Sequence, residues 1–134
     1  MATMQPPADP EADPRVKAVF DDIRATRKTD FINNLWRVLA FDAALLESTW
    51  AEVKRVMAAP GTLDPLTKEM VYLAVSVANS CSYCVHSHTA AAKAKGMTPA
   101  QHAELMAVIA LAAKTNHLVT ALQVPVDPAF DVRA

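Results

Sequence analysis

The stretch DPLTKEMVYLAVSVANSCSYCVHSH, Asp64 to His88, decides how the chain is read. Asp64 followed by Pro65 is a helix start, a capping acid and then the residue best tolerated at the first helical position. Met70, Val71, Leu73, Ala74, Val75 and Val77 make the helix that follows, to about Ala78, apolar on most sides. Such a helix is buried or lies between subunits. Asn79 and Ser80 then offer an N-cap for a second helix over Cys81 to about Lys95. At about 100° per residue, Cys81, Cys84 and His88 fall on one face of it. Neighbours at i and i+3 have Cβ atoms about 5–6 Å apart, close to what a disulfide requires. The first turn of a helix, with its free N–H groups and positive dipole end, favours a thiolate over a thiol. His88, one turn on, is placed to exchange a proton with Cys84. The spacing suits a dithiol that opens and closes with little backbone movement.

The rest of the chain supplies helical scaffold. Its 134 residues are enough for one domain with a real core, and 52% of them are apolar with only two glycines, which favours helices over a sheet with tight turns. Thirteen basic residues against fourteen acidic give a formal charge of -1, so no basic field is available to hold nucleic acid. The opening MATMQPPADPEADPR has no basic segment followed by an apolar run and does not read as a secretory signal. The longest apolar runs, such as Leu105 to Ala113, are too short to span a bilayer. These features predict a soluble cytoplasmic protein, and in that compartment a CxxC pair is more often catalytic or metal-binding than a permanent staple.

Taken in order, residues 1–13, with Pro6, Pro7 and Pro10, predict a flexible lead-in. A helical domain is expected over 14–124 and a tail over 125–134. Pro14 opens a helix with Val16, Val19, Phe20 and Ile23 at helical spacing. Thr29 or Asp30 is expected to cap a second helix carrying Phe31, Ile32, Leu35, Trp36 and Leu39. Asp42 is expected to cap a third with Leu45, Leu46, Trp50, Val53 and Val56 on its apolar side, stopped by Pro60 and Gly61. After the two central helices, Gly96 ends the second, with Lys93 and Lys95 in its last turn where cations suit the dipole. Thr98-Pro99-Ala100-Gln101 reads as a capping box for a last long helix through Leu122. Nothing alternates like a strand, so the fold class is all-α with about six helices. The apolar surplus, the nearly all-apolar 103–113 segment and the six methionines predict a symmetric homo-oligomer.

Glu69, eleven residues, Cys81-Ser-Tyr-Cys84, three residues and His88 together resemble the signature of the carboxymuconolactone decarboxylase superfamily. With both cysteines present the pattern is similar to the alkylhydroperoxidase D branch. LDPLTKEMVYLAVSVANSC before the motif and HTAAAKAKGMT after it agree, and the likeness covers roughly residues 30 to 122. The resemblance implies an all-helical fold in trimers or hexamers and a peroxidase-like or disulfide-reductase chemistry. It implies that Cys84 attacks the peroxide, that Cys81 resolves the sulfenic acid to a disulfide, and that Glu69 and His88 relay protons. The redox group would then be the Cys81–Cys84 pair itself, with no other cofactor. A lipoyl protein, a thioredoxin-like partner or a small thiol would be the reductant. Where the peroxidase proper has a further histidine before the second cysteine, this chain has Tyr83. The decarboxylase branch usually lacks the cysteine pair, so lactone decarboxylation is not expected.

Each residue also has a plainer reading. In an apolar helix Glu69 is expected to have a raised pKa suited to proton transfer near neutrality, whereas as a first-turn acid it would merely favour the helix dipole. The cysteines could be small buried hydrophobes, or Cys81, Cys84, His88 and Glu69 could hold zinc. Val85 excludes c-type haem attachment, which needs a histidine directly after Cys84. His86 lies off the Cys81–Cys84–His88 face and reads as surface or interface, an accessory at most. Tyr83 could lend a hydroxyl near the thiols, though helical aromatics more often pack. His102 and His117 read as surface or subunit-contact residues, and Trp36 and Trp50 as anchors. A catalytically idle scaffold is the remaining alternative.

Overall fold

A computed structural model describes residues 3–130. The first two residues of the expected lead-in and the last four of the expected tail lie outside the described residues. Among those described there are six α-helices and no strand: α1 Pro14–Arg27, α2 Asn34–Leu39, α3 Ala43–Val53, α4 Pro65–Ala78, α5 Ser82–Ala94 and α6 Pro99–Ala121. None of them is long and apolar enough to cross a membrane. The chain divides into two compact units, residues 1–62 and 63–134. The boundary falls between the Pro60-Gly61 stop and the Asp64-Pro65 start.

The first unit is an apolar core with an ionic exterior. Val16, Val19, Phe20 and Ile23, all on one side of α1, are buried with Ile32, Trp36, Ala40, Leu46 and Trp50. Trp36 and Trp50 meet edge to face with ring centres 5.4 Å apart, an arrangement worth about 0.5–1.5 kcal/mol beyond the area it buries. The Arg27 guanidinium lies 5.6 and 5.4 Å from the two ring centres. The Trp50 indole N–H donates to Asp22 at 2.7 Å, and Lys54 donates to the same carboxylate. Outside this core, Arg15 pairs with Glu47 and Arg24 with Glu11, the latter tying the Pro10–Ala12 turn to α1.

Two expectations for this unit are corrected. The second helix starts at Asn34 rather than after Thr29 or Asp30. The Thr29 hydroxyl accepts from the Phe31 N–H in a local turn, which competes with helix, and Phe31 is exposed outside the helix. Asn33 occupies the N-cap position but makes no side-chain cap bond, because its carbonyl oxygen accepts from Arg27 at 2.6 Å. The third helix widens into a π-helical stretch over Lys54–Ala58. That change of period carries Val56 out of the apolar stripe, and it is exposed.

The second unit is built from α4, α5 and α6, with α4 packing on both of the others. Asp64 caps α4 by accepting the Thr67 N–H at 2.9 Å. The 98–101 capping box opens α6 as expected. Both α4 and α5 end in the same way. After α4, Ser80 takes a left-handed φ of 55°, its N–H reaches Val77 O at 3.0 Å, and the Cys81 N–H reaches Ser76 O at 2.9 Å. After α5, Gly96 has φ 95°, its N–H reaches Lys93 O and the Met97 N–H reaches Ala92 O, both at 3.0 Å. These are Schellman closures, and the second buries Met97 and Ala92 together as such closures usually do. Few apolar side chains are buried here. α6 buries none along its 23 residues, and Val108, Leu111, Leu118, Val119 and Leu122 lie exposed on it.

Candidate functional site

The α4–α5 turn makes the site. Asn79 and Ser80, expected as N-caps, instead finish α4, and Cys81 is itself the N-cap of α5. Its Sγ accepts the Cys84 N–H at 3.3 Å, in the place where serine or aspartate usually serves. One residue therefore closes one helix and opens the next. Both thiols are free and half-buried, with the CxxC in the first turn of α5 as the spacing predicts.

The two sulfurs differ. Hydrogen bonds from the Cys84 thiol and then from its backbone N–H pull the Cys81 thiol below its ordinary value. Burial first, and then the hydrogen bond and charge of Cys81, push Cys84 up to about 11. Two thiols this close cannot both ionise readily. Of the reduced pair, Cys81 is the more acidic thiol and Cys84 the one that holds its proton more tightly.

Glu69 faces α5 from the second turn of α4 and is only 6% exposed, which removes the reading as a solvated first-turn acid. Its Oε2 lies 2.7 Å from His88 Nδ1, and its Oε1 accepts from Lys95 Nζ at 2.7 Å. The raised pKa expected for Glu69 is corrected. Burial is the largest single influence and does push the carboxyl up, but the hydrogen bonds from His88 and Lys95 and the Lys95 charge outweigh it. Glu69 is held as a carboxylate, so the shared proton sits on His88 Nδ1, which donates. Tyr72, one turn after Glu69 on α4, stacks on the His88 ring with centres 3.7 Å apart and planes 21° from parallel. Burial raises the Tyr72 phenol, and so do the negative charges of Cys84, Cys81 and Glu69. Both thiols, the carboxylate and the imidazole thus act on one ring.

Glu69 and His88 are joined by a direct bond, and the thiols lie within electrostatic reach of the same tyrosine. Tyr83 and His86 are exposed on the outer side of α5. His102 is half-buried and His117 exposed on α6. Sequence reasoning missed Tyr72 and took Lys95 for a helix-end cation. The signal for each was present: Tyr72 is i+3 from Glu69, and Lys95 is i+7, two turns, from His88. Among the described residues no group of three or more His, Cys, Asp or Glu is placed to hold a metal, and both Glu69 oxygens are taken.

Comparison with known proteins follows the same lines. Residues 41–127 match the sequence profile of the carboxymuconolactone decarboxylase family. No match was found among curated proteins. Among solved structures, the crystal structure of the alkylhydroperoxidase AhpD core from Rhodospirillum rubrum ATCC 11170 is 67% identical. It superposes with a TM-score of 0.95, with 99% of each chain covered. The all-helical fold, the matched profile and this whole-length likeness agree, and the chain belongs to the carboxymuconolactone decarboxylase family, in its AhpD-like branch.

Proposed function

We propose that the protein is a thiol-dependent peroxidase that cycles Cys81 and Cys84 between dithiol and disulfide. The observation that carries the reading is the pair of free thiols at the start of α5, on the same helix as the His88 of a buried Glu69–His88 dyad. Cys84 gives up its proton, with the Cys81 thiolate as the nearest acceptor, and attacks the terminal peroxide oxygen. The O–O bond breaks, Cys84 becomes the sulfenic acid and the alkoxide leaves, taking a proton to become the alcohol. Cys81, deprotonated again with His88 as the base, attacks the Cys84 sulfur. An S–S bond forms, and hydroxide leaves and is protonated to water. Two thiols and one hydroperoxide thus yield one disulfide, one alcohol and one water. His88 Nε2 is the nitrogen left to take and return protons, because Nδ1 is committed to Glu69.

The disulfide is reopened by an external thiol or dithiol, a lipoyl protein or a thioredoxin-like partner, in the cytoplasm. The exposed apolar side chains of α6 suit a homotrimer or homohexamer, in which a second copy covers them. Light scattering at micromolar concentration is expected to give a multiple of the chain mass.

A second reading is favoured by one observation, the Cys81 sulfur at the N-cap of α5, where it accepts the Cys84 N–H. A thiolate at the N-cap suits attack on a disulfide, which would make the protein a CxxC disulfide oxidoreductase with no peroxide substrate. Intact mass separates the two. One equivalent of an organic hydroperoxide added to reduced protein is expected to remove two hydrogens rapidly, to leave a sulfenic acid on Cys84 in Cys81→Ser, and to leave Cys84→Ser without that product. Two thiols that survive hydroperoxide but are consumed by a model disulfide would establish the second reading instead.

A further inference from the structure

We propose that Lys95 is a positioning residue of this site: by binding Glu69 Oε1 it fixes which nitrogen of His88 carries the proton. The inference rests on the reading of His88 as the base that serves the thiols.

Each carboxylate oxygen of Glu69 has its own donor, His88 Nδ1 on Oε2 and Lys95 Nζ on Oε1, both at 2.7 Å. A carboxylate accepts at both oxygens, whereas a protonated acid must donate from one of them. The ionisation of Glu69 therefore sets the direction of its bond to His88. With Glu69 ionised, Nδ1 keeps the hydrogen and the neutral ring presents a basic Nε2. With Glu69 protonated, its hydroxyl donates to Nδ1, and the ring hydrogen moves to Nε2, where it can no longer accept a thiol proton. Burial pulls Glu69 toward the protonated form, and the Lys95 ammonium opposes it.

The fold places Lys95 for this task. It is the C-cap residue of α5, held by the closure that turns the chain at Gly96. Because the backbone there has φ 95°, a conformation glycine adopts without penalty, the helix stops directly after Lys95. Its stem reaches across to α4 while its side chain stays 36% exposed, a surface route by which a cation meets a buried acid. The charges that act most strongly on Glu69 are those of Lys95 and His88. Tyr72 on α4, Cys81 at the N-cap of α5 and Cys84 in its first turn are further titratable groups that act on the same ring pair. Tyr72 stacks on His88 and restrains its ring plane, so the choice left open is the tautomer.

The test is nitrogen-15 and carbon-13 NMR of the His88 ring and the Glu69 side-chain carboxyl across a pH series, in wild type, Lys95→Met and Lys95→Arg. Neutral His88 is expected as the Nδ1–H tautomer in wild type and in Lys95→Arg. In Lys95→Met the Glu69 carboxyl is expected to titrate at higher pH and the ring to gain the Nε2–H form. Hydroperoxide turnover of Lys95→Met should fall about 10–100-fold, as when other outer partners that orient a histidine are removed, with Lys95→Arg restoring most of it. An unchanged carboxyl titration and tautomer in folded Lys95→Met would overturn the proposal. So would an Nε2–H tautomer in wild type, whether or not the variant folds. The NMR readouts do not depend on turnover: wild type inert to hydroperoxide but with the expected tautomers would sink the peroxidase reading and leave the role of Lys95 standing.

Discussion

The two units of this chain use burial differently. In residues 1–62, nine buried side chains form one apolar cluster that includes the Trp36–Trp50 pair, and the charged groups stay outside in pairs such as Arg15–Glu47. In residues 63–134 the most consequential buried side chain is a carboxylate, and the longest helix fully buries none of its apolar groups. Apolar burial is non-directional and tolerates approximate matches. A buried carboxylate is tolerated only if partners meet both oxygens. The first unit is therefore specified by pattern, the second by a few contacts that must be met individually.

A paired substitution should expose the contrast most strongly. His88→Ala removes a ring only 21% exposed and leaves Glu69 Oε2 without its donor. It is expected to lower hydroperoxide turnover by about 100- to 10,000-fold and to cost about 1–3 kcal/mol of stability. Trp50→Ala removes a buried ring and leaves Asp22 without its indole donor. It is expected to cost about 3–5 kcal/mol in chemical denaturation. If His88→Ala proved the more destabilising of the two, the division of labour between the units would be wrong.

The acid limb of stability gives a smaller effect. Glu69 has a folded pKa below its ordinary 4.5. Its two partners therefore stabilise the fold fully above about pH 4.5, and that contribution is lost as pH falls through the lower folded value. Glu69→Gln should be less stable than wild type by about 1–3 kcal/mol at neutral pH. Urea midpoints measured from pH 7 downward should converge below pH 4.5, and a constant gap would mean that the Glu69 charge contributes nothing.

The smallest effect sharpens the account of the turn. Ser80 holds a left-handed conformation that costs an L-residue about 1–2 kcal/mol. Ser80→Gly relieves this strain at some cost in unfolded-state entropy, so a gain of about 1 kcal/mol is expected, with the difference in alkylation rate between Cys81 and Cys84 unchanged. A loss of stability would mean that the serine hydroxyl matters to the turn.

Much of this was legible in the sequence because it is local. Asp64-Pro65, the 98–101 capping box and the period of Val16, Val19, Phe20 and Ile23 carry their instructions within one or two turns. The Cys81, Cys84 and His88 spacing marked the site for the same reason, since i, i+3 and i+4 neighbours share a helix face, whereas Glu69, on the preceding helix, was marked by the family resemblance. The start of the second helix was misread because Arg27, six residues away, takes the side chain of Asn33. The cap of α5 was misread because Ser80 occupies a position where glycine is the usual signal.

By itself, then, the sequence determined that the chain is all-helical, where most helices begin, and which four residues form the motif. Backbone capping and hydrophobic period are properties of neighbours along the chain. The tertiary structure alone decided the charge on Glu69. The competition between its burial and the cations of α5 depends on Lys95, 26 residues away, reaching the same carboxylate. It also decided which cysteine is the more acidic, because the Cys84 thiol and its backbone N–H both bond to Cys81 while burial raises Cys84.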